Sequence, residues 1–132
     1  MAIVTDAPSL AAVLACGEPE RLYSALSLLV STATESKPCL GLATFRALAL
    51  MLDADGAGDT AELPADGRER FRRSLAELIE TAQQLDTIRL YACSASVETM
   101  SVRAEQVASR LDGVMSTPRF LRAAEGARLI FV

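Results

Sequence analysis

A cysteine closes an apolar run and is followed at once by small hydroxyl residues and a helical pattern. This is the part of the chain best suited to chemistry, and it lies in residues 88–107, IRLYACSASVETMSVRAEQV. Ile88, Leu90, Tyr91 and Ala92 form a short β-prone run, compatible with an interior strand of a parallel sheet. Val97, Met100, Ala104, Val107, Ala108 and Leu111 then recur at helical spacing, with Glu98, Arg103, Glu105 and Arg110 on the polar side. The spacing predicts one helix ending at Leu111-Asp112-Gly113, with Ser94 or Ser96 as its cap. Cys93 then stands at the carboxyl end of a strand and just before a helix amino terminus. Free N–H groups and the helix dipole favour an anion there. Such a place can lower a thiol pKa below the free value of about 8.5. The same position also suits a cysteine that is only a small buried apolar plug.

Two further strand-to-helix junctions carry candidate groups. Residues 10–15 (LAAVLA) read as a first strand that ends in Cys16-Gly17. Glu18-Pro19-Glu20 opens a helix after it, since proline is tolerated in the first turn and acidic side chains suit the dipole. Those glutamates compete with a phosphate for the helix terminus, and no GxGxxG or Walker A sequence is present, so a nucleotide is not expected there. Residues 39–44 (CLGLAT) read as the second strand and Phe45–Leu52 (FRALALML) as a short apolar helix. Thr44 and Arg46 at that junction are a cap and a surface charge, or a donor pair near a bound anion. Cys39 starts its strand and so falls at the opposite edge.

The remaining elements must position these groups. Residues 53–67 (DADGAGDTAELPADG) read as a surface loop, without the ligand rhythm of an EF-hand. From Arg68 a long helix carries the stripe Phe71, Leu75, Leu78, Ile79, Ala82 and Leu85. Val114-Met115 is a very short strand. Thr117 caps a helix over residues 118–125, and residues 127–132 (ARLIFV) form a final buried strand. Strands alternate with helices in one domain spanning residues 1–132. The pattern predicts an α/β fold, a three-layer α/β/α Rossmann-like sandwich around a mostly parallel sheet of about five strands. In such sheets the functional edge lies beyond the carboxyl ends of the strands, where Cys16, Thr44, Arg46 and Cys93 all map. If the first and central strands are neighbours, Cys16 and Cys93 come close enough to interact.

Composition narrows the chemistry. The chain has 132 residues, 51% of them hydrophobic and only 5% aromatic, so its core is aliphatic. It contains no histidine, which removes Ser–His–Asp and Cys–His mechanisms and most zinc sites. Three cysteines without a CxxC argue against a disulfide framework or structural zinc, and a reducing cytoplasm fits them. No metal or cofactor is expected. A net charge of −4 argues against nucleic acid. No run reaches the length of a membrane span, and residues 9–16 read as a strand rather than a signal peptide. Phe45–Leu52 is apolar nearly all round and is the candidate oligomer interface.

Three stretches resemble the DsrE/DsrF-like (DsrEFH/TusD-type) family of sulfur-handling proteins. They are ACGEPERLYSALSLLVSTA (15–33), LATFRALALML (42–52), and YACSASVETM (91–100) with GVMSTPRFLRAAEGARLIFV (113–132) after it. The order and spacing of all three carry the likeness. It implies a Rossmann-like domain that assembles as homo-oligomers, trimers or hexamers, and works in intracellular sulfur relay with a cysteine persulfide. The branch pattern Ala-Cys-x-x-Ser-x-x-x-Met falls on Ala92, Cys93, Ser96 and Met100, so the sulfur-bearing role lands on Cys93. The chain departs from the branch at Ala95 and at Val97 or Glu98, and lacks the late second cysteine of some relatives.

The expected function is therefore a persulfide carrier or sulfurtransferase-like protein. Cys93 is its thiol, backbone N–H groups near Ser94–Val97 stabilise the anion, and Arg46 assists. A small basic sulfur-carrier protein is a partner that the acidic surface would steer. Two alternatives stand beside it. One is a non-catalytic module that binds a small ligand or a protein, with Cys93 poorly exposed. The other is a structural subunit of a homo- or hetero-oligomer.

Overall fold

The computed structural model describes residues 7–53 and 63–132. Among them the chain alternates strand and helix in the order β1 (Leu10–Leu14), α1 (Pro19–Ala33), β2 (Cys39–Ala43), α2 (Phe45–Leu52), α3 (Ala65–Gln84), β3 (Ile88–Cys93). It continues with α4 (Ser94–Thr99), α5 (Ala104–Arg110), β4 (Gly113–Met115), α6 (Thr117–Ala123) and β5 (Arg128–Phe131). The five strands form one sheet, all parallel, in the order β4-β3-β2-β1-β5. The expected three-layer Rossmann-like α/β/α sandwich is what the chain folds into.

Strand order explains which face each helix covers. β1, β2, β3 and β4 step across the sheet in one direction. Right-handed crossovers then place every intervening helix on the same face. That face holds the main core: Leu10, Ala12 and Leu14 of β1 and Ile88, Leu90 and Ala92 of β3, under Leu22, Leu26 and Leu29 of α1, Leu48 and Met51 of α2, Leu75 and Ile79 of α3, and Val107 of α5. The step from β4 to β5 returns across the whole sheet, and the same handedness puts α6 on the opposite face. There Phe120 and Ala124 cover Ala11, Leu40, Leu42, Cys93 and Met115.

The two faces are unequally covered. α6, the one helix on this face among the described residues, is about 10–12 Å across with its side chains. Five strands at about 4.8 Å spacing span nearly 20 Å. One short helix therefore leaves part of the second face bare, and β5 lies there. The expectation of a buried final strand is corrected: β5 is an edge strand, with Leu129 51% and Phe131 77% exposed. Its terminal position follows from the topology, which nothing in the run ARLIFV reveals.

The single helix expected after Cys93 is two helices. α4 ends at Thr99 and Ser101 turns to φ +53°. Ser101 N–H donates to Glu98 O (3.3 Å) and Val102 N–H to Val97 O (3.0 Å). That pair of bonds is a Schellman ending, with Ser101 where glycine is usual. α5 then starts afresh, its Arg103 N–H held by Gln106 Oε1 at 2.9 Å. The left-handed residue is strained for a side chain, so Ser101→Gly should stabilise the fold by about 0.5–1 kcal/mol, the usual scale of such backbone changes. Paired urea melts test this, and an unchanged or lower midpoint refutes it.

Other boundaries shift by small amounts. α3 begins at Ala65, three residues before Arg68. α6 is capped by Ser116, whose hydroxyl accepts Arg119 N–H, rather than by Thr117. The aspartate-rich loop lies largely outside the described residues, as do the first six residues of the chain. Ala47, Leu48, Leu50 and Met51 of α2 are buried within this one chain. The apolar helix thus finds its cover without a second subunit, and only Phe45, Arg46 and Ala49 of it face outward.

Candidate functional site at the carboxyl edge of the sheet

Period-two alternation decides where Cys93 goes. Ile88, Leu90 and Ala92 point into the main core, so Arg89, Tyr91 and Cys93 point to the α6 face. Cys93 is the last residue of β3 and the residue before α4, as expected. Its register partner is Met115, and it shares the α6-face core with Phe120. It is 5% exposed. α4 has only six residues, so it offers Cys93 a short dipole. Ser94 is the first residue of α4 and is half-buried.

Ser96 does not cap α4. It is fully buried, the one buried polar side chain among the described residues, and its Oγ accepts the Phe45 N–H at 2.9 Å. Phe45 is the first residue of α2 and has φ +43°. A bulky residue at positive φ is strained and needs surroundings that hold it. The hydroxyl of one strand-to-helix junction thus holds the turn of the other. The sequence contained no signal for this bond, because its partners are 51 residues apart.

The first and second junctions are also tied. Thr44 occupies the cap position of α2 but makes no side-chain cap bond. Its N–H and its hydroxyl both donate to Leu14 O, at 2.9 and 3.3 Å. Arg46 is exposed, and its stem crosses Gly17 so closely that a Cβ there would lie 2.8 Å from Arg46 Cβ and 2.7 Å from Cδ. Only glycine permits this approach, since Arg46 Cβ is fixed by the α2 backbone. Beside it, Cys16 is half-buried, and its Sγ accepts Glu18 N–H at 3.4 Å. Val132 O accepts the N–H groups of Ala15 (2.7 Å) and Cys16 (3.0 Å), which pins the loop to the end of β5.

The edge therefore brings Cys16, Thr44 and Arg46 together around the β1 and β2 ends, and Ser96 to Phe45. It does not bring Cys16 to Cys93 through neighbouring strands. β2 stands between β1 and β3, so their axes are about 10 Å apart, two strand spacings. Cys39 lies at the opposite end of β2, as expected, and is buried. Its Sγ is 3.5 Å from Leu29 O and 3.4 Å from Lys37 O. Burial pushes its thiol pKa up from the ordinary value, so it stays protonated and closed near neutral pH.

Among the described residues, no group of three or more His, Cys, Asp or Glu side chains is placed to hold a metal ion. No helix among them is long and apolar enough to cross a membrane. Fold and edge together define a Rossmann-like α/β/α domain with two thiols at the carboxyl ends of its strands, one half-buried and one covered. No protein-family model matches the chain, and no curated protein matches it.

Proposed function

We propose that the protein is an intracellular sulfur-relay protein, a persulfide carrier with sulfurtransferase-like chemistry at the carboxyl edge of its sheet. The observation that carries this reading is Cys16, a partly open thiol whose sulfur accepts a backbone N–H beside Gly17. Persulfide exchange needs a thiolate and access, and no histidine or metal. The Cys16 thiolate attacks the outer sulfur of a donor persulfide. The donor S–S bond breaks, the donor leaves as a thiolate, and the new Cys16 persulfide holds the sulfane sulfur. An acceptor thiolate then attacks that outer sulfur and regenerates Cys16. Arg46, packed against Gly17, brings positive charge to the same junction.

Cys93, on which the family resemblance places the sulfur, is covered by α6 and takes part only when that helix lifts. A cytoplasmic location, a homo-oligomer of the trimeric or hexameric kind and a small basic sulfur-carrier partner belong to the same reading. The burial of Cys93 favours a second one: a non-catalytic module that binds a small ligand or protein at this edge, or a structural subunit.

Intact-mass spectrometry after exposure to a polysulfide decides between them, on wild type, Cys16→Ala and Cys93→Ala. A labile sulfur adduct that survives Cys93→Ala and vanishes in Cys16→Ala is the expected result. An adduct lost only in Cys93→Ala keeps the relay and moves the carrier to the covered thiol. No adduct on either cysteine rejects the relay and leaves the second reading.

A further inference from the structure

Among the described residues, the bare part of the α6 face and the free edge of the sheet coincide at β5. Arg128 N–H donates to Ser9 O (3.0 Å) and Val132 N–H to Val13 O (2.9 Å). Backbone groups of alternate residues point to opposite sides of a strand, so Arg128, Ile130 and Val132 face β1. The N–H and C=O groups of Leu129 and Phe131 therefore point outward, and no described residue pairs with that edge. The same two residues carry their side chains on the thinly covered face, by their register with Ala11 and Val13. Soluble proteins usually block such an edge with lysine, proline or a bulge. β5, with the sequence RLIF, has no lysine or proline, and its one charge, Arg128, stands at its start and on the other face from Leu129 and Phe131.

We propose that a second copy of this chain pairs antiparallel with β5 about a two-fold axis at Ile130. The register follows from symmetry and backbone direction. A two-fold normal to the sheet keeps each face on its own side, so opposed residues have the same parity. Centring on Ile130 sets Leu129 opposite Phe131 of the other copy, twice. Both are outward-facing residues, so each such pair exchanges both of its N–H···O bonds, while the Ile130 pair is the non-bonded one between them. Centring on Leu129 instead would call on Ala127, whose N–H is already given to Ala124 O. In the Ile130 register an apolar Leu–Phe pair forms on the bare face at each end, and no two arginines stand opposite each other. At the other edge, β4 has only three residues and begins with glycine. A four-residue strand supplies less than the roughly 800 Å² per partner of a tight interface, so the pairing weakens on dilution.

Light scattering across a dilution series, with amide hydrogen exchange, tests the pairing on the full chain. The expected particle contains an even number of chains, which admits the hexamer and not the trimer, and its mass halves in both Phe131→Lys and Phe131→Pro. The lysine puts a charge on the edge. The proline removes an outward N–H without touching the bonds to β1. Phe131 is mostly solvent-exposed, so Phe131→Lys leaves the single-chain fold intact even where the proline does not. Leu129 and Phe131 amides should exchange faster on dilution, and Arg128 and Ile130 amides should not. A wild type that is a single chain at its highest soluble concentration, an odd-numbered particle, a mass indifferent to both variants, or outward amides indifferent to concentration each overturns the pairing.

Discussion

Replacing Phe120 with alanine should cost about 3–5 kcal/mol and open Cys93 to thiol reagents. Phe120 is the largest fully buried side chain and the centre of the α6-face core, in which Cys93 also lies. Truncating a buried phenylalanine loses its transfer energy and leaves a cavity, which gives the range. The main core on the other face is untouched, so a domain in the middle of the usual range of about 5–15 kcal/mol remains folded. What it loses first is the cover over Cys93, because α6 is short and Phe120 is its buried residue, with Ala124 just after the helix. The measurement is the alkylation rate of Cys93 in a Cys16→Ser background, beside urea melts. Leu26→Ala, a deletion in the main core, serves as the comparison. Cys93 should react faster in Phe120→Ala than in Leu26→Ala at matched stability, with Cys39 closed in both. Equal Cys93 rates would mean that it is exposed only by global unfolding, and α6 would then be no gate.

Ser96→Ala should destabilise the fold by about 1–2 kcal/mol, the lower part of the penalty for an unsatisfied N–H, because the Phe45 N–H that loses its acceptor is part-buried. The bond it removes restrains Phe45 at positive φ, so the two effects are linked. Phe45→Gly removes the strain and loses little packing, since Phe45 is largely exposed. In a double-mutant cycle Ser96→Ala should therefore cost less in the Phe45→Gly background than in the wild type, with the coupling read from denaturant midpoints. Additive values would show that the bond does not restrain the strained turn at Phe45. The bond also joins the two junctions that carry Arg46 and Cys93. Its loss should therefore raise hydrogen exchange at residues 44–46 while leaving β1 protected.

Local pattern alone carried much of this architecture. Short aliphatic runs at residues 10–14, 39–43 and 88–93, each followed by residues at helical spacing, are enough to require parallel strands with crossover helices. Caps and prolines located most helix starts within a few residues, because those signals act over one turn. The break at Ser101 was hidden because a serine occupies the place where glycine usually announces a stop.

The chain by itself determined which residues can do chemistry: three thiols, no histidine, and strand ends at Cys16, Thr44 and Cys93. It also determined that they lie at one edge, since parallel strands all end on the same side. Tertiary structure decided which of them is reachable. Cys16 is half-buried, and Cys93 is closed because the return from β4 to β5 places α6 on the face to which Cys93 points. It decided, too, that β2 separates the two thiols, that Ser96 holds Phe45, and that among the described residues β5 ends the sheet with Leu129 and Phe131 exposed. Each of these depends on strand order and on contacts between residues far apart in sequence. Hydrophobic periodicity reports the face a residue takes within its own element and carries no information about which element lies beside it.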